Sequence, residues 1–432
     1  MVDSIEKRYT RKFSLTTLNI RVVTLVLIVI QSVGIRFFPG QGTVLSVMII
    51  FLARKGLFKL RRKDFIALFL IVSFLVVNKI INPSFSYSSL LFQISLVLSS
   101  YIFLRQYKSI QLFRDDLYSC LSFVFFHAAI GYLIYLFASP LFAQFNFSGL
   151  NYKGLFVFYV SASTFDFFLR NVGLCWEPGV LQLILNLFLF FSIKRQRNIL
   201  FLSSIGLSVL STFSTTGYLI LILNILYYVV FQLTKKGSRG KFSLVILVGL
   251  MFSTGLIALV QENATNKFDR SNTSTLVRLR DFLIGVELIS EKPLLGHGIF
   301  DSKYLESKTA LSSIESDVFT KGYLNEYGDF SGGYTDGLLG LACWYGIPAA
   351  IFIYVLTYKN RMADRIWFER LTLFLILCLT FVSEPITYTS LFLLFPLSRV
   401  VFKTSLEKSS NIELDDSVDE QTGLGLAMSN TS

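Results

Sequence analysis

The sequence predicts an all-α, polytopic integral membrane protein with about twelve transmembrane helices and a long outer loop that contains short helices. Of its 432 residues, 53% are hydrophobic and 44 are phenylalanine, and the mean hydropathy is +0.60. A helix needs about 20 mainly apolar residues to cross a bilayer, and windows of this kind recur along the chain. A soluble protein of this length would not carry so much apolar surface.

Short basic clusters separate the apolar segments: KRYTRK, RKGLFKLRRK, KRQR, KKGSRGK and KNRMADR. Such clusters are typical of the cytoplasmic loops of membrane proteins. The net charge of +12 is spread over these loops and forms no basic soluble domain, so we expect no nucleic-acid partner. Alternating the spans from a cytoplasmic N-terminus puts every strong basic cluster on the inner side, and both termini are then predicted to be cytoplasmic.

The predicted spans lie, in chain order, near residues 18–38, 41–54, 64–82, 88–105, 117–142, 177–193, 198–213, 216–233, 242–260, 336–357, 371–387 and 388–402. The first is too long for a signal-peptide core, and no cleavage pattern of small residues follows it. Residues 1–402 are therefore predicted to form one membrane domain, and the acidic segment 403–432 a disordered cytoplasmic tail. The two long outer loops, about 143–176 and 261–335, are expected to be functional because long loops without a role are uncommon.

Metal and cofactor sites are not indicated. The cysteines at 120, 175, 343 and 378 have no spacing typical of a zinc site or a disulfide framework. The histidines at 127 and 297 are far apart in sequence. We expect neither a metal nor a cofactor.

The first outer loop ends in RNVGLCWEPG, residues 170–179, directly before a predicted span. The planar guanidinium of Arg170 suits phosphate oxygens, although an arginine here can also extend to the membrane interface. Glu177 precedes Pro178 at a predicted helix start, where the helix dipole favours a carboxylate. Near an apolar slab its pKa could instead rise toward a value useful for a general base. Both readings of each residue remain open.

The second outer loop contains a predicted helix. Apolar residues recur at three- and four-residue spacing from Leu276 to Val286. Pro293 is expected to end the helix, and Gly296 and Gly298 to permit a tight turn. His297, between those glycines, is a candidate base or donor, although a lone loop histidine more often has neither role.

Two arginines on this helix differ in their predicted surroundings. Arg278 and Arg280 are two positions apart, so their side chains point about 200° away from each other. Arg280 shares a face with Glu287, which indicates a solvated, ion-paired surface. Arg278 is therefore the stronger candidate for a ligand contact.

Three segments carry a family resemblance: RNVGLCWEPG, VRLRDFLIGVELISEKPLLGHG and YTDGLLGLACWYGIPAAIF. In their order and predicted sidedness they resemble the bacterial O-antigen polymerases, a family grouped with the O-antigen ligases, over roughly residues 165–360. The first resembles an Arg-x-x-Gly … Glu-Pro-Gly element that includes Gly173. The second places the family's arginine on Arg278, and the third has Gly346 at a glycine step.

One departure favours a polymerase over a ligase. The ligases carry a His-Asn pair where this chain has Thr335 and Asp336, and Ala349 stands where ligases prefer glycine, threonine or tyrosine. The histidine of that pair is thought to be catalytic in ligases, whereas polymerases vary at this position. Asp336 is kept as a candidate substrate-binding residue.

The resemblance implies a GT-C-like glycosyltransferase of the bacterial inner membrane. Its substrates would be glycan repeat units on undecaprenyl pyrophosphate, and its partners membrane lipid and a polysaccharide chain-length regulator. Glu177 and Arg278 would be catalytic, and substrate would be bound by Arg170, Arg278, Arg280, Gly173, His297 and Asp336. The alternatives are an O-antigen ligase and a flippase for the same lipid-linked unit. Repeated halves and broken helices, which mark many transporters, are not recognisable in the sequence, and the clearest acid within a span is Glu384.

Overall fold

A computed structural model describes residues 19–38, 40–83, 86–147, 150–165, 168–233, 273–298, 336–364, 366–384 and 386–402. Within these ranges the chain is mostly helical. Residues 163–165, 168, 273–280 and 388 are described by their backbone alone. The predicted span 242–260 and the predicted tail 403–432 lie outside the described residues.

The helices are α1 (Ile20–Val33), α2 (Gln41–Leu52), α3 (Arg54–Leu57), α4 (Arg62–Ile81), α5 (Tyr87–Arg105), α6 (Ile110–Ala138), α7 (Pro178–Lys194), α8 (Ile199–Leu210), α9 (Thr215–Leu233), α10 (Thr273–Glu291), α11 (Gly337–Tyr345), α12 (Ile347–Tyr358), α13 (Trp367–Ser383) and α14 (Ser390–Val401). Short 3₁₀ turns, Ser139–Leu141 and Ile386–Tyr388, follow α6 and precede α14.

Membrane-spanning length is found in four helices of the described ranges: α4, α5, α6 with its 3₁₀ extension, and α9. Six further apolar helices, α1, α2, α7, α8, α12 and α14, have 10–17 residues and are shorter than a full span needs. Between them runs one large apolar core, in which α7 is buried on all sides from Pro178 to Ile193. The structure thus shows apolar helices where the sequence predicts spans, and four of them are long enough to cross a bilayer.

The all-α prediction is incomplete, because the first outer loop contains a four-stranded antiparallel sheet. Its strands are β1 (Ala143–Phe147), β2 (Leu150–Leu155), β3 (Phe158–Phe165) and β4 (Phe168–Asn171), in the order 1-2-3-4. Aromatic and β-branched residues, which favour strands, are frequent here. The strands are short and their hydrophobic residues alternate weakly, so the sequence pattern predicts only a loop here.

The predicted span 336–357 is not one helix but two. α11 ends at Tyr345 and α12 begins at Ile347. Gly346, between them, has a φ of +83°, a left-handed value that glycine adopts without strain. Pro348 stands in the first turn of α12, where its missing N–H costs nothing. The glycine step predicted here is therefore a break in the helix.

Ion pairs connect one set of helix ends. Pairs join Arg21 to Asp116, Arg105 to Asp64, Arg114 and Lys194 to Asp364, Lys194 to Glu369, and Arg195 to Asp115. The guanidinium of Arg21 also lies over the Tyr107 ring, just beyond Arg105. We call this the ion-pair end of the bundle. It holds the starts of α1, α4, α6 and α13 and the ends of α5 and α7, which the sequence predicts to lie on one side of the membrane.

Candidate functional site

The site begins where β4 meets the turn between α8 and α9. Arg170 donates from Nε to the carbonyl of Thr212 at 3.0 Å and from Nη2 to that of Phe213 at 3.3 Å. The amide of Asn171 donates to the Ser211 carbonyl at 3.0 Å. Arg170 is half-buried. These contacts give Arg170 a structural role in holding the turn, beside the predicted role in binding phosphate.

Gly173 supplies the turn that leads from the sheet to α7. Its φ is +54°, and a Cβ there would lie 2.9 Å from the Cβ of Ala128 on α6. The Asn171 side chain accepts from the Gly173 amide at 3.2 Å. Only glycine fits both the left-handed backbone and the close approach to α6. The structure thus gives the Gly173 of the sequence motif a backbone function.

The segment after Gly173 pairs with the chain leaving α1. Ile35 donates its amide to the Leu174 carbonyl at 3.1 Å, and Trp176 donates to the Val33 carbonyl at 3.0 Å. This short antiparallel pairing fixes the residue that follows. Glu177 is consequently held at the start of α7, at the opposite end of the bundle from Lys194.

Glu177 is the N-cap residue of α7, and its side chain makes no capping hydrogen bond to the helix. The carboxylate is half-buried. It lies near Tyr152 of β2, whose hydroxyl donates to the Trp176 carbonyl at 2.7 Å. Burial, and then the nearby Glu177 carboxylate, raise the pKa of Tyr152. The absence of a capping bond weakens the capping explanation for this glutamate.

A second carboxylate, Glu384, lies against the same helix start. Glu384 follows the last residue of α13 and is 3% exposed. Its side chain packs against the backbone of Gly179 so closely that a Cβ on Gly179 would overlap with the carboxylate. Burial, and then the Glu384 carboxylate, raise the pKa of the Cys175 thiol. Glu384 therefore belongs to the region that RNVGLCWEPG builds.

The start of α11 packs on the other side of Glu384. A Cβ on Gly337 would lie 3.0 Å from the Glu384 carbonyl oxygen and 3.2 Å from the Thr387 hydroxyl. Asp336 caps α11 by accepting from the amides of Leu338 and Leu339 at 2.9 and 3.1 Å. The start of α7 thus packs against the Glu384 carboxylate and the start of α11 against the Glu384 backbone. The positive end of the α7 dipole favours negative charge on that carboxylate.

α10 brings a further acid to this region and confirms the predicted helix. It ends at Glu291, two residues before Pro293. Asp281 is fully buried and interacts electrostatically with Asp336. The buried face also carries Ile284 and Leu288, whereas Leu283 and Val286 of the apolar pattern are 43% and 48% exposed.

Arg278 and Arg280 lie in α10, but their side chains lie outside the described part of the structure. Arg278 stands one helical turn before Asp281 on the same helix. The backbone therefore places Arg278 next to the region that holds Asp336. The predicted contact of either arginine with a ligand stays a prediction.

His297 forms part of a joint between α10 and the broken helix. Its amide donates to the Cys343 carbonyl at 2.8 Å, and the Gly298 amide to the Trp344 carbonyl at 3.1 Å. Its ring is 1% exposed, with Nε2 3.0 Å from the Leu288 carbonyl and 3.6 Å from a carboxylate oxygen of Glu291. These contacts indicate a structural role for His297, while the predicted substrate contact stays a prediction.

The same joint uses Asn78 of α4 and Asn82, the residue that follows this helix. Asn78 donates from Nδ2 to the Leu295 and Trp344 carbonyls at 2.7 and 3.3 Å. Asn82 donates to the Gly296 carbonyl at 3.2 Å and accepts from Lys292 at 2.7 Å. In return, the Ile347 amide of α12 donates to the Pro293 carbonyl at 2.7 Å. The carbonyls of Cys343 and Trp344 and the amide of Ile347, at the break, are thus hydrogen-bonded.

Arg170 lies beside the turn between α8 and α9. The structure assembles Glu177, Glu384, Asp336 and Asp281 around the starts of α7 and α11. We call this region the helix-start site. Sequence reasoning missed Asp281 and did not connect Glu384 to Gly179. Within the described ranges, no group of histidine, cysteine and carboxylate residues is arranged to hold a metal ion.

Comparison of this chain with protein-family models, curated proteins and solved structures finds no match.

Proposed function

We propose that this protein is an O-antigen polymerase, which joins undecaprenyl-pyrophosphate-linked repeat units at the periplasmic face of the bacterial inner membrane. The observation that carries the proposal is the geometry of RNVGLCWEPG. This segment sets Glu177 at the start of α7, whose Gly179 backbone packs against the buried Glu384 carboxylate, and Arg170 beside the turn between α8 and α9. The site lies at the end of the bundle opposite the ion-pair end, where the positive-inside rule puts the outer face.

The proposed chemistry is a glycosyl transfer between two lipid-linked glycans. A sugar hydroxyl of the acceptor attacks the anomeric carbon of the donor glycan, and the bond from that carbon to the pyrophosphate oxygen breaks. The hydroxyl proton passes to the Glu177 carboxylate. The leaving pyrophosphate carries the electron pair, and Arg278 and Arg170 stabilise its charge. In this proposal, Glu384 and Asp336 accept hydrogen bonds from sugar hydroxyls.

The remaining predicted site residues have different roles in this proposal: Gly173 and His297 are structural, and Arg280 binds substrate. Gly173 and His297 shape the backbone on either side of the site. Arg280 stays assigned to substrate binding by the family resemblance alone. A polysaccharide chain-length regulator is the proposed protein partner, and this proposal also rests on the family resemblance alone.

Deletion of the gene in its host tests the reaction class. A polymerase deletion leaves lipid A core carrying one repeat unit in place of a ladder, and the wild-type gene restores the ladder. Complete loss of attached glycan would instead indicate a ligase or a flippase. An unchanged ladder would contradict all three functions.

One observation favours the flippase as a second candidate. Transporters often bind substrate at discontinuous helices, and the α11–α12 break is such a helix. At this break, however, backbone groups are bonded to the α10 turn and to Asn78. A flippase assay with labelled lipid-linked units in proteoliposomes separates the two, since a polymerase lengthens glycan without needing to move it across the bilayer.

A further inference from the structure

Two lysines meet at the turn that follows α4. Lys79, in the last turn of α4, donates from Nζ to the Pro83 carbonyl at 2.6 Å. Lys292, the residue after α10, donates from Nζ to Oδ1 of Asn82 at 2.7 Å. The two ammonium groups are thus held on consecutive residues of one turn, although the lysines belong to segments far apart in sequence.

Neither ammonium group has an anionic partner among the described residues. Lys79 is 8% exposed, and Lys292 is half-buried. The carbonyl and amide oxygens that the two groups contact are neutral. The acid next to Lys292, Glu291, has a carboxylate oxygen 3.6 Å from Nε2 of His297. Because buried charges are normally paired, two positive charges at one turn without a carboxylate indicate an anionic ligand.

Both ammonium groups keep donors that a ligand can use. A lysine ammonium has three N–H donors, and each of these two uses one of them within the described ranges. The Lys79 ammonium lies 4.7 Å from the centre of the Tyr87 ring, and that ring residue is 74% exposed. The ammonium therefore adjoins the protein surface, where a ligand can reach it.

The start of α5 adds positive potential at the same turn. Tyr87 is the first residue of α5, and Ser86 caps the helix by accepting from the Ser89 amide at 3.1 Å. The first amides of a helix have no acceptor within it, and the helix dipole places positive partial charge there. The positive end of α5 thus lies beside the Lys79 ammonium and reinforces the preference for an anion.

This turn is separate from the helix-start site. α10 runs from Thr273 to Glu291. At about 1.5 Å per residue, Arg278 and Lys292 lie about 20 Å apart along its axis. A group held by the two lysines is therefore distinct from one held by Arg278.

We propose that Lys79 and Lys292 form a binding site for a pyrophosphate group. Lysine binds phosphate oxygens as a compact point charge, and the remaining donors of the two ammonium groups match the several oxygens of pyrophosphate. Binding of this anion does not depend on the proposed polymerase activity. Glycosyl transfer between two lipid-linked units brings two pyrophosphates to the protein, and this site holds the second of them; that assignment alone rests on the proposed function.

Equilibrium dialysis with radiolabelled inorganic pyrophosphate tests the site on the purified full-length protein in detergent at constant ionic strength. The variant combines Lys79→Gln with Lys292→Gln. The control combines Lys55→Gln with Lys359→Gln, which removes the same charge at two exposed positions elsewhere. We expect the variant to bind one pyrophosphate fewer per molecule than the control, because the loss of two charge-assisted hydrogen bonds weakens binding about tenfold or more.

Equal pyrophosphate binding by the variant and its control would overturn the proposal, as would a wild-type protein that binds none. Lys292→Gln alone keeps the test possible if the double variant does not fold, because Lys292 is only half-buried. This single change should raise the dissociation constant for pyrophosphate. An unchanged constant would show that Lys292 does not bind the anion.

Competition with farnesyl pyrophosphate separates a lipid-linked ligand from a free one. Displacement of the lysine-dependent pyrophosphate supports the assignment to a lipid-linked unit. Failure to displace it would overturn that assignment and leave a site for the free anion. The gene deletion described above tests the polymerase separately, because an unchanged ladder would refute that function without affecting pyrophosphate binding.

Discussion

At the scale of single residues, Gly179 and Glu384 define the centre of the helix-start site. They are far apart in sequence, and only the fold brings the Glu384 carboxylate onto the Gly179 backbone. The Glu-Pro-Gly motif could be recognised from the sequence, as could the position of Glu177 at a helix start. The contact between Gly179 and Glu384 could not be predicted, because nothing local to residues 177–179 specifies a contact with the end of α13.

Replacing Gly179 by alanine is expected to destabilise the protein despite a better helix propensity. Alanine gains about 1 kcal/mol over glycine inside a helix. Its Cβ would overlap with the buried Glu384 carboxylate, and overpacking of this kind costs about 1–3 kcal/mol. We expect a lower melting temperature in detergent and a loss of polymer in the host.

The matched control is Gly206→Ala on α8, where the nearest atom to a new Cβ is 3.9 Å away. This change should leave the melting temperature unchanged or raise it. If Gly179→Ala melted at or above the wild-type temperature, the close contact with Glu384 would be refuted.

Arg170 allows a test that separates its structural and chemical roles. Arg170→Lys keeps the positive charge but cannot reproduce the two hydrogen bonds to Thr212 and Phe213. If the arginine mainly holds the turn, the variant loses about 1 kcal/mol of stability and polymer falls in proportion to folded protein. If it also binds pyrophosphate, polymer per folded molecule falls at least tenfold. Quantitative immunoblotting with glycan gels measures both quantities.

At the scale of elements, the joint between α10, α11, α12 and α4 shows how a break in a helix is stabilised. The sequence predicted a glycine step at Gly346 and a turn at Gly296–Gly298, but not that the two bind each other. Sequence periodicity reports on one element at a time. The pairing depends instead on hydrogen-bond donors from separate segments, including Asn78.

Asn78→Leu is expected to weaken this joint. The change removes the donor to the Leu295 and Trp344 carbonyls within a buried region. Leaving such groups unsatisfied costs about 2 kcal/mol, so the melting temperature should fall by several degrees. The control is Val77→Leu, at the neighbouring position, which is 47% exposed. Equal melting temperatures for the two variants would show that Asn78 does not support the break.

At the scale of the whole molecule, the apolar helices could be predicted from the sequence, whereas the sheet and the helix break could not. The sidedness of the helices stays a prediction. Hydropathy located the helices because a bilayer imposes it on every span. The predicted alternation of spans across the membrane agrees with the ion pairs, because the helix ends that these pairs join are predicted to lie on the same side. The sheet was not predicted, because a search for long apolar segments does not detect short strands such as those packed against α6.

The predicted sidedness can be measured with single cysteines and a membrane-impermeant maleimide. Lys108→Cys, between α5 and α6, lies at the ion-pair end and should be labelled only after the inner membrane is permeabilised. Ser139→Cys, at the other end of α6, should be labelled in spheroplasts with an intact membrane. The reverse pattern would place the helix-start site in the cytoplasm and exclude a periplasmic polymerase.

The central claim is that Glu177, at the start of α7, takes part in glycan coupling. Its most direct test is polymer formation from purified lipid-linked repeat units by the purified protein in proteoliposomes, comparing wild type with Glu177→Gln. Because glutamine has nearly the same shape as glutamate but cannot accept a proton at this position, the variant should keep the wild-type melting temperature while its polymerisation rate falls about 100-fold or more. A variant that melts normally and polymerises at the wild-type rate would contradict the claim.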